Sequence, residues 1–285
     1  MTAELISGKE LSDKIREEIK EETKKLKEKD VTPHLSVILV GNDPASESYV
    51  RGKEKAFQNA GMGSEVIKLE ESVSEEDLVQ LIEELNEKED VHGILVQLPL
   101  PEHINDQVIV ETIVPEKDVD GFHPINVGRM MHEQDTLLPC TPLGIMEMLD
   151  SKNIDVTGKH AVVVGSSNIV GKPVGQLLLN RFATVTNCHI KTENLRAHTK
   201  MADILVVAVG NANMIKADDV KEGAVVIDVG INRLEDGSLT GDVDFDEVKK
   251  KASYITPVPG GVGPMTITML LYNTLKACKS QEGLD

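Results

Sequence analysis

The residues best able to move a proton in this chain each follow an apolar stretch. Tyr49 and Lys53 stand four positions apart in SESYVRGKEKA, so on a helix they share one face. Gln97 opens QLPLP directly after VHGILV, and Asp118, Asp120 and His123 fall in DVDGFH. A lysine works as acid or base near neutral pH when desolvation or a neighbouring charge lowers its pKa. An amide can orient it, and a carboxylate can bind a polar substrate edge. The set suits proton transfer around a bound molecule. The plainer reading stays open on these residues alone: a surface lysine beside a half-buried tyrosine, and a glutamine in a proline turn.

Regular elements must position these groups. Ser7 and Glu10 form a capping box, and Leu11, Ile15 and Ile19 at helical spacing predict an amphipathic helix to about Lys29. Strands are expected at Leu35–Val40, Ser64–Leu69 and Val91–Gln97, with helices to about Ala60, from Ser74 to near Glu89, and over Asn105–Val114. Residues 115–142 show no sustained period, as expected of a functional or interdomain loop. After a helix at Leu143–Asp150, strands recur at His160–Val164, Ala183–Asn187, Ile204–Val209, Ala224–Val229 and Ser253–Thr256. A hairpin is expected at Asn232–Asp242, a short helix at Asp246–Lys251, a rigid loop over 256–266, and a last helix ending near Ala277. Alternating strands and helices predict an α/β fold of parallel βαβ units, with two lobes around a cleft. The second lobe reads as a Rossmann-like, doubly wound, mostly parallel sheet. Ligands of such sheets bind beyond the C-terminal strand ends, where Lys53, Gln97 and Asp120 fall.

The stretch GKHAVVVGSSNIVGKPVG, Gly158 to Gly175, is read as a buried strand, a turn opening at Gly165 and a helix from near Val170. Such a turn presents backbone N–H groups and a helix N-terminus to a phosphate. Ser167 and Val170 stand where the second and third glycines of a G-x-G-x-x-G fingerprint would be. The turn by itself fits a dinucleotide site or an ordinary β–α connection equally.

Composition narrows the classes. With 30 basic and 48 acidic side chains the formal charge is −18, which disfavours nucleic acid and anionic membranes as partners. No Trp and few Phe and Tyr leave little to stack bases on. Cys140, Cys188 and Cys278 are scattered and odd in number, as expected of free thiols in a reducing compartment. No signal-peptide core or membrane-length apolar run stands out, so a cytoplasmic protein is expected. Asp118, Asp120 and His123 lack the further ligands of a calcium loop, and no metal is expected. No G-x-S-x-G elbow is present, so nucleophilic catalysis has little support.

Several blocks resemble the methylenetetrahydrofolate dehydrogenase/methenyltetrahydrofolate cyclohydrolase family. They are YVRGK at Tyr49, GILVQLPLP at Gly93, KDVDGFHPINVGR at Lys117, PCTPLGI at Pro139, VVGSSNIVGKP at Val163 and TPVPGGVGPMT at Thr256. They keep the family's order from near residue 40 to 266. The resemblance implies a folate-binding catalytic domain over 1–140 with the helix of 265–285 packed back on it, and an NADP-binding domain over 141–264. It implies a homodimer that oxidises 5,10-methylenetetrahydrofolate with NADP and then hydrolyses the methenyl product to 10-formyltetrahydrofolate.

By the same resemblance Lys53 is the proton-carrying lysine, Tyr49 stacks on the pterin, Gln97 orients the lysine, and Asp120 binds the pterin ring. Val96, Leu98, Pro259, Gly260 and Gly263 join them around the folate. Gly165, Ser166, Ser167, Ile169, Val170, His189, Ile190, Lys191 and Ile231 fall to the cofactor. Two positions depart from the pattern. Some members carry an Arg after the first turn glycine and a Ser near the end of the second Rossmann strand, both on the ribose 2′-phosphate; here they are Ser166 and Ile190. His189 and Lys191, with nothing acidic before Glu193, suit a phosphate better than a diol, which favours NADP over NAD. The alternatives are an NAD-dependent or single-activity member, a two-lobed dehydrogenase of amino or hydroxy acids, and a non-catalytic nucleotide sensor.

Overall fold

The computed structural model describes residues 2–284, the side chain of Ala45 excepted. The chain opens with β1 (Glu4–Leu5) and α1 (Gly8–Lys27). It forms two compact units, one of the chain up to Asp13 with Thr141–Thr266, the other of Lys14–Cys140 with the residues from Ile267 on. The opening residues thus group with the later part of the chain, in contrast to the expected 1–140 block. The reason is β1, which pairs in parallel with Tyr254–Ile255 far along the chain.

The unit of Lys14–Cys140 contains β2 (His34–Val40), α2 (Pro44–Asn59), β3 (Gly63–Leu69), α3 (Glu75–Asn86), β4 (Gly93–Val96), α4 (Asp106–Thr112) and α5 (Pro124–Met131). Its sheet runs β3-β2-β4, all parallel. β2 is central, and every residue from Leu35 to Val40 is buried, which is why its apolar run does not alternate. Asp43 caps α2 by accepting from the Ser46 N–H at 2.7 Å, with Pro44 at the first helical position. α3 turns Leu78, Ile82 and Leu85 inward onto Ile38, Ile94 and Ile109. Each such side chain contributes roughly 1.5–3 kcal/mol by leaving water.

α5 lies inside the stretch expected to be irregular. Its start was in the sequence: Pro124 is compatible with a first helical turn, and His123 Nδ1 accepts from the Ile125 N–H at 3.1 Å. α6 (Cys140–Ser151) likewise begins before the expected Leu143, with Pro142 in its first turn.

The other unit holds β5 (His160–Val164), α7 (Gly171–Asn180), β6 (Thr184–Cys188), α8 (Leu195–Thr199), β7 (Ile204–Val207), a 3-10 turn at Ala217–Asp219, and β8 (Val225–Asp228). The hairpin of β9 (Asn232–Arg233) and β10 (Leu239–Thr240), then α9 (Phe245–Val248), β11 (Tyr254–Ile255) and α10 (Val262–Gln281) complete the chain. The six-stranded sheet has the order β1-β11-β8-β7-β5-β6 with every pair parallel. Its core is β-branched: Val162, Val164, Val207, Val226 and Ile255 are all buried. α10 starts at Val262, inside the expected proline–glycine loop, because Gly263 and Pro264 fit a first turn, where Pro264 lacks only an N–H that has no helical partner.

Candidate active site

Three of the four residues expected to act in catalysis meet at the C-terminal edge of the three-stranded sheet. Lys53 stands on α2, and its Nζ donates to Gln97 Oε1 at 3.0 Å. Gln97 is the first residue past β4, fixed by its own N–H to Ile38 O at 2.9 Å. Its side-chain amide donates to Leu98 O at 2.7 Å, so the carbonyl end is the one offered to Lys53. Asp120 arrives on a segment that lies alongside β4: the Ile94 N–H donates to Lys117 O at 2.8 Å. Asp120 keeps some open surface, yet desolvation dominates its ionisation and pushes the carboxyl up to about 6, against the pull of the Lys53 cation. Tyr49, half exposed, stands one helical turn before Lys53.

The other expected folate residues divide. Leu98 supplies a carbonyl to Gln97 and is half-buried. Val96, the last residue of β4, is buried in the core cluster. Pro259, Gly260 and Gly263 belong to the six-stranded unit, where with Ile231, Leu239 and Asp228 they line a cavity of about 150 Å³. Gly260 has φ +96°, a conformation that favours glycine.

The roles of the supporting residues were not legible in the sequence. Asp118 is wholly structural: its carboxylate accepts from the N–H groups of Gly121 and His123 and from the Asn126 amide, at 2.8 to 3.1 Å. Lys117 donates to the carbonyls of Leu85, Asn86 and Lys88 at 2.6 to 3.2 Å, closing the C-terminus of α3. Asn273 on α10 donates to Val119 O and Leu138 O, both at 2.8 Å, tying down the residue before Asp120. The Cys140 thiol lies against Asp120, and burial drives its pKa well above the ordinary value. Lys117, Asp118 and Cys140 lay in recognisable motifs; nothing in the helical pattern of α10 marks Asn273.

The phosphate turn expected at Gly165 has room for no side chain. A Cβ there would lie 2.4 Å from Ala208 O, and φ is +135°. The N–H groups of Ser166, Ser167, Asn168 and Ile169 have no acceptor among the described residues. That of Val170, by contrast, already goes to Ser167 Oγ at 3.2 Å, so Val170 offers no donor to a cofactor. The close helix packing of the missing third glycine is supplied by Gly171, whose Cβ would meet Gly165 O at 2.2 Å, and by Gly175 against Asn187 at 2.6 Å. Four free donors at the start of α7 fit a pyrophosphate. At the end of β6, His189 and Lys191 are exposed around Ile190, which is 97% exposed. Two bonds hold that turn: the His189 N–H to Thr192 Oγ1 at 2.8 Å, and the Lys191 N–H to His189 Nδ1 at 3.1 Å. Among the described residues no cluster could hold a metal ion, and no helix is long and apolar enough to cross a membrane. All three cysteines are free and buried.

The chain as a whole is similar to known proteins. The family model "Tetrahydrofolate dehydrogenase/cyclohydrolase, catalytic domain" matches residues 6–120, and "Tetrahydrofolate dehydrogenase/cyclohydrolase, NAD(P)-binding domain" matches 139–282. The chain is 61% identical to the "Bifunctional protein FolD" of Bacillus subtilis over 98% of its own length and 99% of that protein's. The bifunctional methylenetetrahydrofolate dehydrogenase/cyclohydrolase of Campylobacter jejuni superposes with a TM-score of 0.97 at 55% identity, covering 98% of this chain and 99% of that one. The Trypanosoma brucei dehydrogenase-cyclohydrolase, described as complexed with NADP and an inhibitor, gives 0.94 at 40% identity over 98% of each chain. With both family models matching and such identity end to end, the chain belongs to the tetrahydrofolate dehydrogenase/cyclohydrolase family.

Proposed function

We propose that this chain is a bifunctional enzyme that oxidises 5,10-methylenetetrahydrofolate with NADP and hydrolyses the resulting methenyl compound to 10-formyltetrahydrofolate. The observation that carries it is the 3.0 Å contact of Lys53 Nζ with Gln97 Oε1 beside the partly desolvated Asp120. The chemistry NADP would supply when bound is acceptance of the hydride that leaves the folate methylene carbon. The free N–H groups of Ser166–Ile169 would hold its pyrophosphate, and His189 and Lys191 would serve its 2′-phosphate in place of an Arg and a Ser. An acidic partner for a ribose diol is lacking at the end of β6, which favours NADP over NAD.

The protein side chains handle protons. Water adds to the methenyl carbon, and Lys53 takes a proton from it. As the carbon–nitrogen bond breaks, Lys53 delivers a proton to the departing ring nitrogen; the remaining proton leaves to solvent. Gln97 keeps Lys53 on station because its own amide nitrogen is committed to Leu98 O. Asp120, ionised above about pH 6, accepts hydrogen bonds from the pterin ring. Tyr49 offers an exposed ring for stacking. Pro259, Gly260 and Gly263 give a lining with little side-chain bulk.

We also infer a homodimer in a reducing cytoplasm. β6 is a sheet edge with Phe182, 77% exposed, just before it and Leu179 exposed on the preceding helix; a second copy would cover both. Three buried free thiols fit that compartment. Initial rates of methenyl formation with NADP and NAD in parallel test the assignment. Faster turnover with NADP supports it, faster turnover with NAD overturns the cofactor, and no turnover with either overturns the dehydrogenase.

A further inference from the structure

The six-stranded sheet reverses direction at β5. The chain leaves β5 for β6 on one side and returns to β7 on the other, so the crevice between the ends of β5 and β7 is where such a sheet takes a dinucleotide. One wall is the Gly165 turn. The other is the irregular segment after β7, Ala208 to Asn211, which abuts it at Gly165. An irregular wall needs an external brace, and Asp242 supplies one. Its Oδ2 accepts from the N–H groups of Val209 at 2.7 Å and Gly210 at 3.0 Å. Its Oδ1 accepts from the Asn211 N–H at 2.8 Å and the Asn232 amide at 2.9 Å. Three successive N–H groups make an anion-binding nest, and here the protein fills it with its own carboxylate.

Asp242 is itself braced. Its N–H donates to Asp228 Oδ1 at 2.9 Å, and Asp228 also accepts from Val243 at 2.9 Å and Gly230 at 3.0 Å. Both carboxylates are buried, and the glycines beside them are sterically required. A Cβ on Gly241 would fall 1.8 Å from Asp228 Oδ2, and one on Gly230 2.3 Å from the Asp242 carboxyl. Gly230 leads directly to Ile231 on the cavity wall. Neither carboxylate carries a proton in the reaction above.

We propose that Asp242 is a positioning residue for the cofactor: it fixes the Val209–Asn211 wall of the dinucleotide crevice and, through Asp228, the Gly230–Ile231 turn. This rests on the NADP reading. The test is Asp242→Asn, which keeps the size but sets an amide NH2 against backbone donors. NADP affinity, titrated by calorimetry on the full-length protein, should fall by about tenfold, the effect of one lost charge-assisted hydrogen bond. KM for NADP should rise in step, with kcat changed far less. Hydrolysis of preformed methenyltetrahydrofolate needs no dinucleotide and should persist. Gly210→Ala probes the same wall without touching a buried carboxylate: φ is +66° and the added Cβ meets open space, so NADP affinity should fall here too. Wild-type NADP affinity in both variants, or parallel loss of hydrolysis and NADP binding in both, overturns the proposal. Failure of the unmodified protein to bind NADP would instead overturn the cofactor assignment.

Discussion

Replacing Asp120 with Asn should make the ligand-free protein more stable, and by an amount that depends on pH. The Asp120 carboxyl sits at about 6, against an ordinary value of 3.8, chiefly because its surroundings desolvate it. A carboxyl raised on folding favours the folded state fully while it is protonated in both states, below 3.8, and that contribution is lost as pH rises through about 6. Each pKa unit is worth about 1.4 kcal/mol, so at pH 8 the ionised group costs about 3 kcal/mol. At pH 5 only about half of that applies, and near pH 3 almost none. Asn carries no charge and escapes the cost. Urea denaturation followed by circular dichroism at the three pH values measures it directly. The account expects the variant to match the unmodified protein near pH 3 and to exceed it increasingly up to pH 8, while folate affinity drops. A gain that is flat with pH, or a loss of stability at pH 8, would refute the reasoning.

Two further substitutions probe the supports. Gly165→Ala forces a φ of +135° on alanine and places its Cβ 2.4 Å from Ala208 O, so it should cost roughly 1–3 kcal/mol of stability and weaken NADP binding, read by thermal melting and calorimetry. Asn273→Ala leaves Leu138 O without its donor and Val119 O with only the Cys140 thiol; loss of roughly 1–3 kcal/mol in denaturant titrations is expected, with weaker folate binding because the Asp120 segment loosens.

The sequence carried the alternation of the fold well because buried parallel strands announce themselves. LSVILV and HAVVV have no polar face to confuse the period, and β2 and β5 fall on them. β1 and β11 escaped notice or precision because two-residue strands have no period at all. α5 and the first turn of α10 were hidden by prolines, which end helices in their interior but are tolerated in the first turn. At the site, Lys53 and Gln97 could be placed at strand ends, yet chain spacing could not say that they touch. Asp118 and Asp120 look interchangeable in DVDG; burial and three donors make one a brace, while the other stays beside Lys53. Asp242 and Asn273 act on residues distant in the chain, a relation no local pattern carries.

The assignment of Lys53 as proton carrier is tested most directly by the hydrolysis of preformed methenyltetrahydrofolate in Lys53→Met, with NADP affinity measured on the same sample. Removing the general acid–base group should slow hydrolysis by about 10²–10⁴-fold, and NADP affinity should stay within twofold because Lys53 and the Gly165 turn belong to different units. Hydrolysis at the unmodified rate would contradict the account.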